Sequence, residues 1–97
     1  MIRILKVTGE SLSPTIEEGD YVLVGTNSFF FPLKMGDFVV FNHPQYGRMI
    51  KQVTEIQQDD NTLTVTGTHP RSVDSRQLGP IPMKSVTGKV LYHFSPS

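Results

Sequence analysis

Apolar residues in this chain come in short runs, rich in Val, Ile and Phe, that are cut repeatedly by Gly, Pro, Asn and Asp. That pattern predicts strands rather than helices, because β-branched and aromatic residues suit a pleated surface and the interrupting residues suit turns. The expected strands are Ile2 to Val7, Asp20 to Val24, Asp37 to Phe41, Arg48 to Ile56, Leu63 to Thr66 and Gly88 to Phe94. Turns are expected at Glu18-Gly19-Asp20, Lys34-Met35-Gly36-Asp37, Gln45-Tyr46-Gly47 and Asp59-Asp60-Asn61, each holding residues that tolerate turn dihedrals. No stretch sustains a helical period. The segment from Ser13 to Gly19 has a capping residue, Pro14 at a first-turn position, two acids and a closing glycine, which predicts at most one helical turn. There is no internal repeat and no low-complexity linker. The economical architecture is all-β, a small barrel-like core of short, mainly antiparallel strands.

Length and charge narrow the reading. A chain of 97 residues fits one domain, residues 1–97, because domains cluster near roughly 100 to 150 residues. Nine basic and nine acidic residues cancel, so no broad positive field favours nucleic acid as a partner. The chain has no cysteine, hence no disulfide framework and no thiolate metal site. Arg3 and Lys6 interrupt the apolar residues at the N-terminus, which therefore lacks the apolar region of a secretory signal. Nowhere do about 18 apolar residues follow one another, as a membrane-spanning helix requires. The expected location is cytoplasmic or peripheral to a membrane.

Three separated segments carry candidate chemistry. In the first, Val7-Thr8-Gly9-Glu10-Ser11-Leu12-Ser13-Pro14-Thr15, a serine sits between a strand and a tight turn. Gly9 permits close backbone approach and Pro14 stiffens the chain just beyond, so the Ser11 hydroxyl would be held on a rigid edge, as a nucleophile needs. Taken alone, the segment is better explained as an ordinary serine turn. In the second, strand periodicity places Met49, Lys51 and Val53 on one face and Ile50 and Gln52 on the other. Lys51 is thus flanked by apolar neighbours. Desolvation lowers a lysine pKa, and bringing one from about 10.4 to near 7 corresponds to about 4 kcal/mol. A neutral amine can accept a proton from a serine. The alternative is a solvent-facing or snorkelling lysine with Ile50 buried instead.

The third segment runs from Gly67 through Thr68, His69, Pro70, Arg71, Ser72, Val73, Asp74, Ser75 and Arg76 to Pro82 and on to Val90. Ser72 could orient an amine by hydrogen bonding, and Asp74 and Arg76 could pair across a turn to fix the loop that presents it. Read alone, it is as well explained by a surface loop with an exposed ion pair, worth under about 1 kcal/mol.

Together and in this order, the three segments resemble the type I signal peptidase family. Its boxes run Gly-x-Ser-Met-x-Pro-Thr-Leu-x-x-Gly-Asp, then Gly-Asp-Ile-Val-Val-Phe with a later Lys-Arg-Val, then Gly-Asp-Asn-x-x-x-Ser-x-Asp-Ser-Arg. The matching stretches are Gly9 to Val24, Gly36 to Val53 and Gly67 to Val90. The resemblance implies a serine endopeptidase with Ser11 as nucleophile, Lys51 as general base, Ser72 orienting Lys51, and Asp74 with Arg76 as the supporting pair. It implies an oxyanion met by the Ser11 backbone N–H, with Gly9, Leu12 and Pro14 bordering the substrate cleft and no side-chain donor at Gly9. Departures are Leu12 where the family has Met, and Thr68-His69 where it has Asp-Asn. The family's anchoring helix and the insertion some members carry before the third box are not seen. Phe41-Asn42-His43-Pro44, Ser72 to Arg76 and Leu78-Gly79-Pro80-Ile81-Pro82 also resemble small proteases that mature nickel superoxide dismutase precursors. On either resemblance the partner is a precursor polypeptide.

Two features remain. Phe29-Phe30-Phe31-Pro32-Leu33 is a compact apolar segment, expected either in the core or as a peripheral membrane or substrate contact. His43, His69 and His93 lie far apart without cysteine, so neither a metal nor another cofactor is expected. Two further classes compete with the endopeptidase. One is a catalytically degenerate barrel that binds a peptide. The other is a self-cleaving repressor-type protease of the SOS response, which shares the Ser-Lys dyad but usually carries a DNA-binding segment before the core.

Overall fold

The computed structural model describes residues 2–7, 16–26, 32–67 and 78–95. Seven strands form one antiparallel sheet: β1 (Ile2–Lys6), β2 (Tyr21–Gly25), β3 (Phe38–His43), β4 (Gly47–Gln57), β5 (Thr62–Thr66), β6 (Ile81–Pro82) and β7 (Val86–Phe94). All six expected strands are present and the fold is all-β. The order across the sheet is β1-β2-β7-β3-β4-β5-β6. The last strand in sequence is therefore inserted between β2 and β3, pairing antiparallel with both.

β6 was not expected. It spans two residues, one of them a proline that has no N–H to give, so it stays at the sheet margin beside β5 and leaves no periodic signal. A 3-10 turn, Met83–Ser85, follows it and leads into β7. The single helical turn expected from Ser13 onward begins outside the described residues, and its described part, Ile16 to Gly19, is a bend followed by a turn.

Both faces of the sheet carry a core. Val7, Ile16, Val22, Val24 and Val40 form the first cluster, with Leu5, Phe38, Ile50 and Val90 packed against it. Val39, Phe41, Val53, Leu63, Val65 and Ile81 form the second, with Met49 and Val86 among its neighbours. β3 contributes to both, and this explains its sequence. Successive strand residues point to opposite faces, so the run Val39-Val40-Phe41, each 0% exposed, is what a strand buried on both sides requires. In β7 the corresponding device is Gly88, where a Cβ would stand 2.4 Å from Val24 Cγ1 and 2.8 Å from the Gly25 carbonyl oxygen.

Two turns are built alike. At the first, the Asp20 N–H donates to the Glu17 carbonyl (3.0 Å) and the Glu17 N–H donates to Asp20 Oδ2 (2.9 Å). At the second, the Asp37 N–H donates to the Lys34 carbonyl (3.1 Å) and the Lys34 N–H donates to Asp37 Oδ2 (2.8 Å). In each the preceding glycine takes a left-handed φ, 91° at Gly19 and 94° at Gly36, a region costly for other residues. Each turn also grips a neighbouring chain segment through two backbone bonds. Gly19 N–H donates to the Val7 carbonyl and Val7 N–H to the Asp20 carbonyl, at 2.9 and 2.7 Å. Gly36 N–H donates to the Val53 carbonyl and Val53 N–H to the Asp37 carbonyl, both at 2.8 Å. No repeat is visible at domain scale, yet Gly-Asp-aromatic-Val occurs at Gly19 and again at Gly36 and folds the same way.

Candidate functional site

Lys51 stands midway along β4, the longest strand, directly opposite Val39 of β3. The expected alternation holds: Val53 on the Lys51 side belongs to the second cluster with Met49 packed against it, and Ile50 packs on the first. Lys51 is 1% exposed and is, with Asp20, one of two buried polar or charged side chains among the described residues. An amine placed among Val39, Met49 and Val53 has lost most of the water that would solvate an ammonium ion. The solvent-facing alternative for Lys51 is thereby set aside.

The strand that carries Lys51 is fixed on both sides. The Gly36-Asp37 turn is bonded to Val53, two residues beyond the lysine. On the other edge, Thr66 of β5 pairs with Gln52, so the chain leaves β5 at Gly67 beside Lys51. It is described again from Leu78, which packs against the second cluster. Between these two points runs the segment of Ser72, Asp74 and Arg76, which lie outside the described residues, as does His69.

The serine segment is anchored comparably. Val7 and Ile16, 5% and 0% exposed, stand at its two ends in the first cluster, the cluster against which Ile50 packs. Ser11, Gly9, Leu12 and Pro14 fall between them, outside the described residues, and so do Phe29, Phe30 and Phe31. The third segment thus leaves and rejoins the described fold on the Lys51 side of β4, while the serine segment is anchored on the first cluster, which meets the other face of β4 at Ile50.

Asp20, expected as a turn residue at the head of a strand and as part of the first matching segment, also links its turn to the end of β7. Its carboxylate accepts the Glu17 N–H and also the Ser95 hydroxyl (2.7 Å) at the end of β7. These contacts hold its carboxyl below the ordinary value of 3.8, the Glu17 N–H most and Ser95 next, with burial opposing and the charge of His93 adding a little. Asp37 makes the equivalent link elsewhere on β7: Oδ2 lies 3.2 Å from Lys89 Nζ, which also donates to the Pro32 carbonyl (3.2 Å). The repeated Gly-Asp pair was the signal available in the sequence. His43 serves a turn: its Nδ1 accepts the N–H groups of Gln45 and Tyr46 at 3.0 and 3.3 Å. Among the described residues, no group of three or more His, Cys, Asp or Glu is placed to hold a metal ion. Among them too, no helix is long and apolar enough to cross a membrane.

The core is an antiparallel all-β sheet with a buried lysine on an interior strand, one turn bonded to that strand at Val53 and a like turn bonded to Val7, where the serine-bearing segment begins. The chain belongs to the Peptidase S24-like family, whose model matches residues 2–90. That span covers all three candidate segments, and the membership supports a serine-peptidase-like function. No curated protein matches the chain significantly.

Proposed function

We propose that this protein is a serine endopeptidase that removes a leader or signal segment from a precursor polypeptide, with Ser11 as nucleophile and Lys51 as general base. The observation that carries the reading is the burial of Lys51, 1% exposed on β4, in a chain of the Peptidase S24-like family. Burial works against a charged ammonium, and a neutral amine can take the hydroxyl proton as Ser11 attacks the scissile carbonyl. The Ser11 backbone N–H meets the developing oxyanion. Lys51 then gives its proton to the leaving amine; in the second half it takes a proton from water, which attacks the acyl-enzyme ester, and returns that proton to the departing Ser11 oxygen. Ser72 orients the Lys51 amine, and Asp74 paired with Arg76 fixes the loop that carries Ser72. Gly9, Leu12 and Pro14 border the substrate cleft. The finer assignment is a soluble or membrane-peripheral protease of the signal peptidase type, with a nickel superoxide dismutase precursor as the substrate.

The test is cleavage of a peptide library by the wild-type protein beside Ser11→Ala and Lys51→Met, from pH 6 to 10. Wild-type cleavage after small residues with both variants dead supports the dyad. Equal activity in all three sinks it, and no cleavage by any of them with lipid present turns the reading towards a peptide-binding module. Methionine nearly matches lysine in length and keeps the second cluster filled, so circular dichroism should show the Lys51→Met sheet intact.

A further inference from the structure

A cleft of about 420 Å³ opens where the first cluster ends, between β1 and β2 on one side and the β3–β4 hairpin on the other. Arg3 and Arg48 line it with Asn42, Thr26 and Thr87, over apolar walls supplied by Leu5 and Val24. Strand register explains why these groups meet. Arg3 pairs with Val24 and Asn42 pairs with Arg48, and directly opposed residues of antiparallel strands share a face. On those same faces Val24 and Val40 belong to the first cluster and Leu5 and Ile50 pack against it, so both guanidinium groups stand at its end.

The electrostatics there are one-sided. Residues 2–7, 21–26, 38–54 and 86–95, which include every cleft-lining position, contain no Asp or Glu. The described acids occupy turns instead, at Glu17, Glu18, Asp20, Asp37, Asp59 and Asp60, apart from Glu55 late in β4. Neither Arg3 nor Arg48 forms an ion pair among the described residues. In a chain of zero formal net charge, this cleft thus carries two cations and no anion among its lining residues. Thr26 and Thr87 also line a second, larger cleft of about 590 Å³, whose walls include Leu33, Ile56, Met83 and Val86. A cationic compartment and a mainly apolar one, whose lining also includes Lys89, Gln58 and Asn61, thus adjoin through two shared threonines.

We propose that Arg3 and Arg48 form a subsite for a carboxylate side chain of a polypeptide substrate, whose apolar neighbour enters the larger cleft. The polypeptide nature of the ligand rests on the peptidase reading above; its charge rests on the two arginines. Arg48 precedes Lys51 by three residues on β4, and alternation puts it on the opposite face of that strand, with Ile50, so the cleft takes a part of the polypeptide away from the scissile bond. Planar guanidinium groups fit carboxylates through paired N–H donors, which makes Arg the suitable cation here.

Binding is measured on the full chain with Ser11→Ala, using apolar short peptides scanned with Asp at each position and their Asn twins. The expected result is that Asp at a defined position binds about tenfold more tightly than Asn, the equivalent of about 1.4 kcal/mol. The preference should weaken as salt rises from about 0.05 to 0.5 M. It should be lost in Arg3→Gln and in Arg48→Gln, both exposed positions where substitution leaves thermal unfolding unchanged. Equal binding of Asp and Asn twins, or a preference that survives the double variant, overturns the proposal. Arginine-dependent binding of inorganic phosphate or of phosphatidylglycerol vesicles, with no Asp preference in any peptide, overturns the polypeptide assignment. The peptidase reading fails by a different measurement, the absence of cleavage by wild-type protein, so the two failures are told apart.

Discussion

Replacing Asp37 by alanine should destabilise the fold by about 2 kcal/mol, and the figure can be built from its two contacts. A carboxylate accepting a backbone N–H, as Asp37 Oδ2 does from Lys34 at 2.8 Å, contributes about 1.5–3 kcal/mol. The ion pair with Lys89 at 3.2 Å adds little, because both side chains keep about a fifth of their surface in water; such pairs measure about 0–1 kcal/mol. The capping bond therefore dominates. Asparagine keeps a carbonyl acceptor for the Lys34 N–H and loses only the charge, so Asp37→Asn should cost about 1 kcal/mol or less. In a domain of this size each kcal/mol moves the midpoint by about 4–8 °C, giving a fall of about 8–16 °C for alanine. Thermal and urea unfolding of both variants, with Lys89→Met as the third corner of a cycle, separates the contributions. Equal losses for Asn and Ala would refute the argument by making the ion pair the dominant contact. An alanine variant within about 0.5 kcal/mol of wild type would mean that the turn does not brace β4.

Asp20 makes a pH-dependent prediction. Its carboxyl is lowered from 3.8, chiefly by the Glu17 N–H and then by Ser95, so the stability it confers is present above about pH 3.8 and is lost as pH falls through the lower folded value. Asp20→Asn should flatten the acid limb of stability against pH, measured by urea unfolding from about pH 2 to 6; an unchanged slope would assign acid sensitivity elsewhere. Gly88→Ala would place a methyl against Val24 and the Gly25 carbonyl, forcing β2 and β7 apart at a cost of about 1–3 kcal/mol, read as a lower melting temperature. Phe41→Ala, at a side chain 0% exposed, should cost about 3–5 kcal/mol, enough to leave much of the protein unfolded near 37 °C by circular dichroism.

Much of the sheet was legible because strand-forming runs and turn residues agree locally. The Lys51 face was legible for the same reason, since a period of two on β4 leaves a single side for Met49, Lys51 and Val53. Other features depend on distant partners and have no local signature. The insertion of β7 between β2 and β3 is a matter of topology, and β6 pairs only because Leu63 and Thr62 of β5 stand beside it. The link from Asp20 to Ser95 joins positions far apart in the chain, so nothing near either residue announces it. The cleft of Arg3 and Arg48 likewise exists only once β1 and the β3–β4 hairpin meet around the first cluster.

The Gly-Asp turns tie the two segments that would carry the proposed pair to one another. Each turn does two jobs with one aspartate: the backbone carbonyl bonds the neighbouring segment while the side chain closes the turn and reaches β7. The first turn fixes Val7, from which the chain departs towards Ser11; the second fixes Val53, just past Lys51. Both are tied to one strand, Asp20 through Ser95 at its end and Asp37 through Lys89 within it. A displacement of β7 would therefore move both turns together, which on the proposed dyad would keep the two segments in step better than two independent loops could. The same coupling predicts that Ser95→Ala, though distant from Lys51 in sequence, lowers kcat more than it raises KM, because it loosens positioning and Ser95 lines neither cleft. A variant that raised KM alone would show that β7 serves binding and that the turns do not set the catalytic geometry.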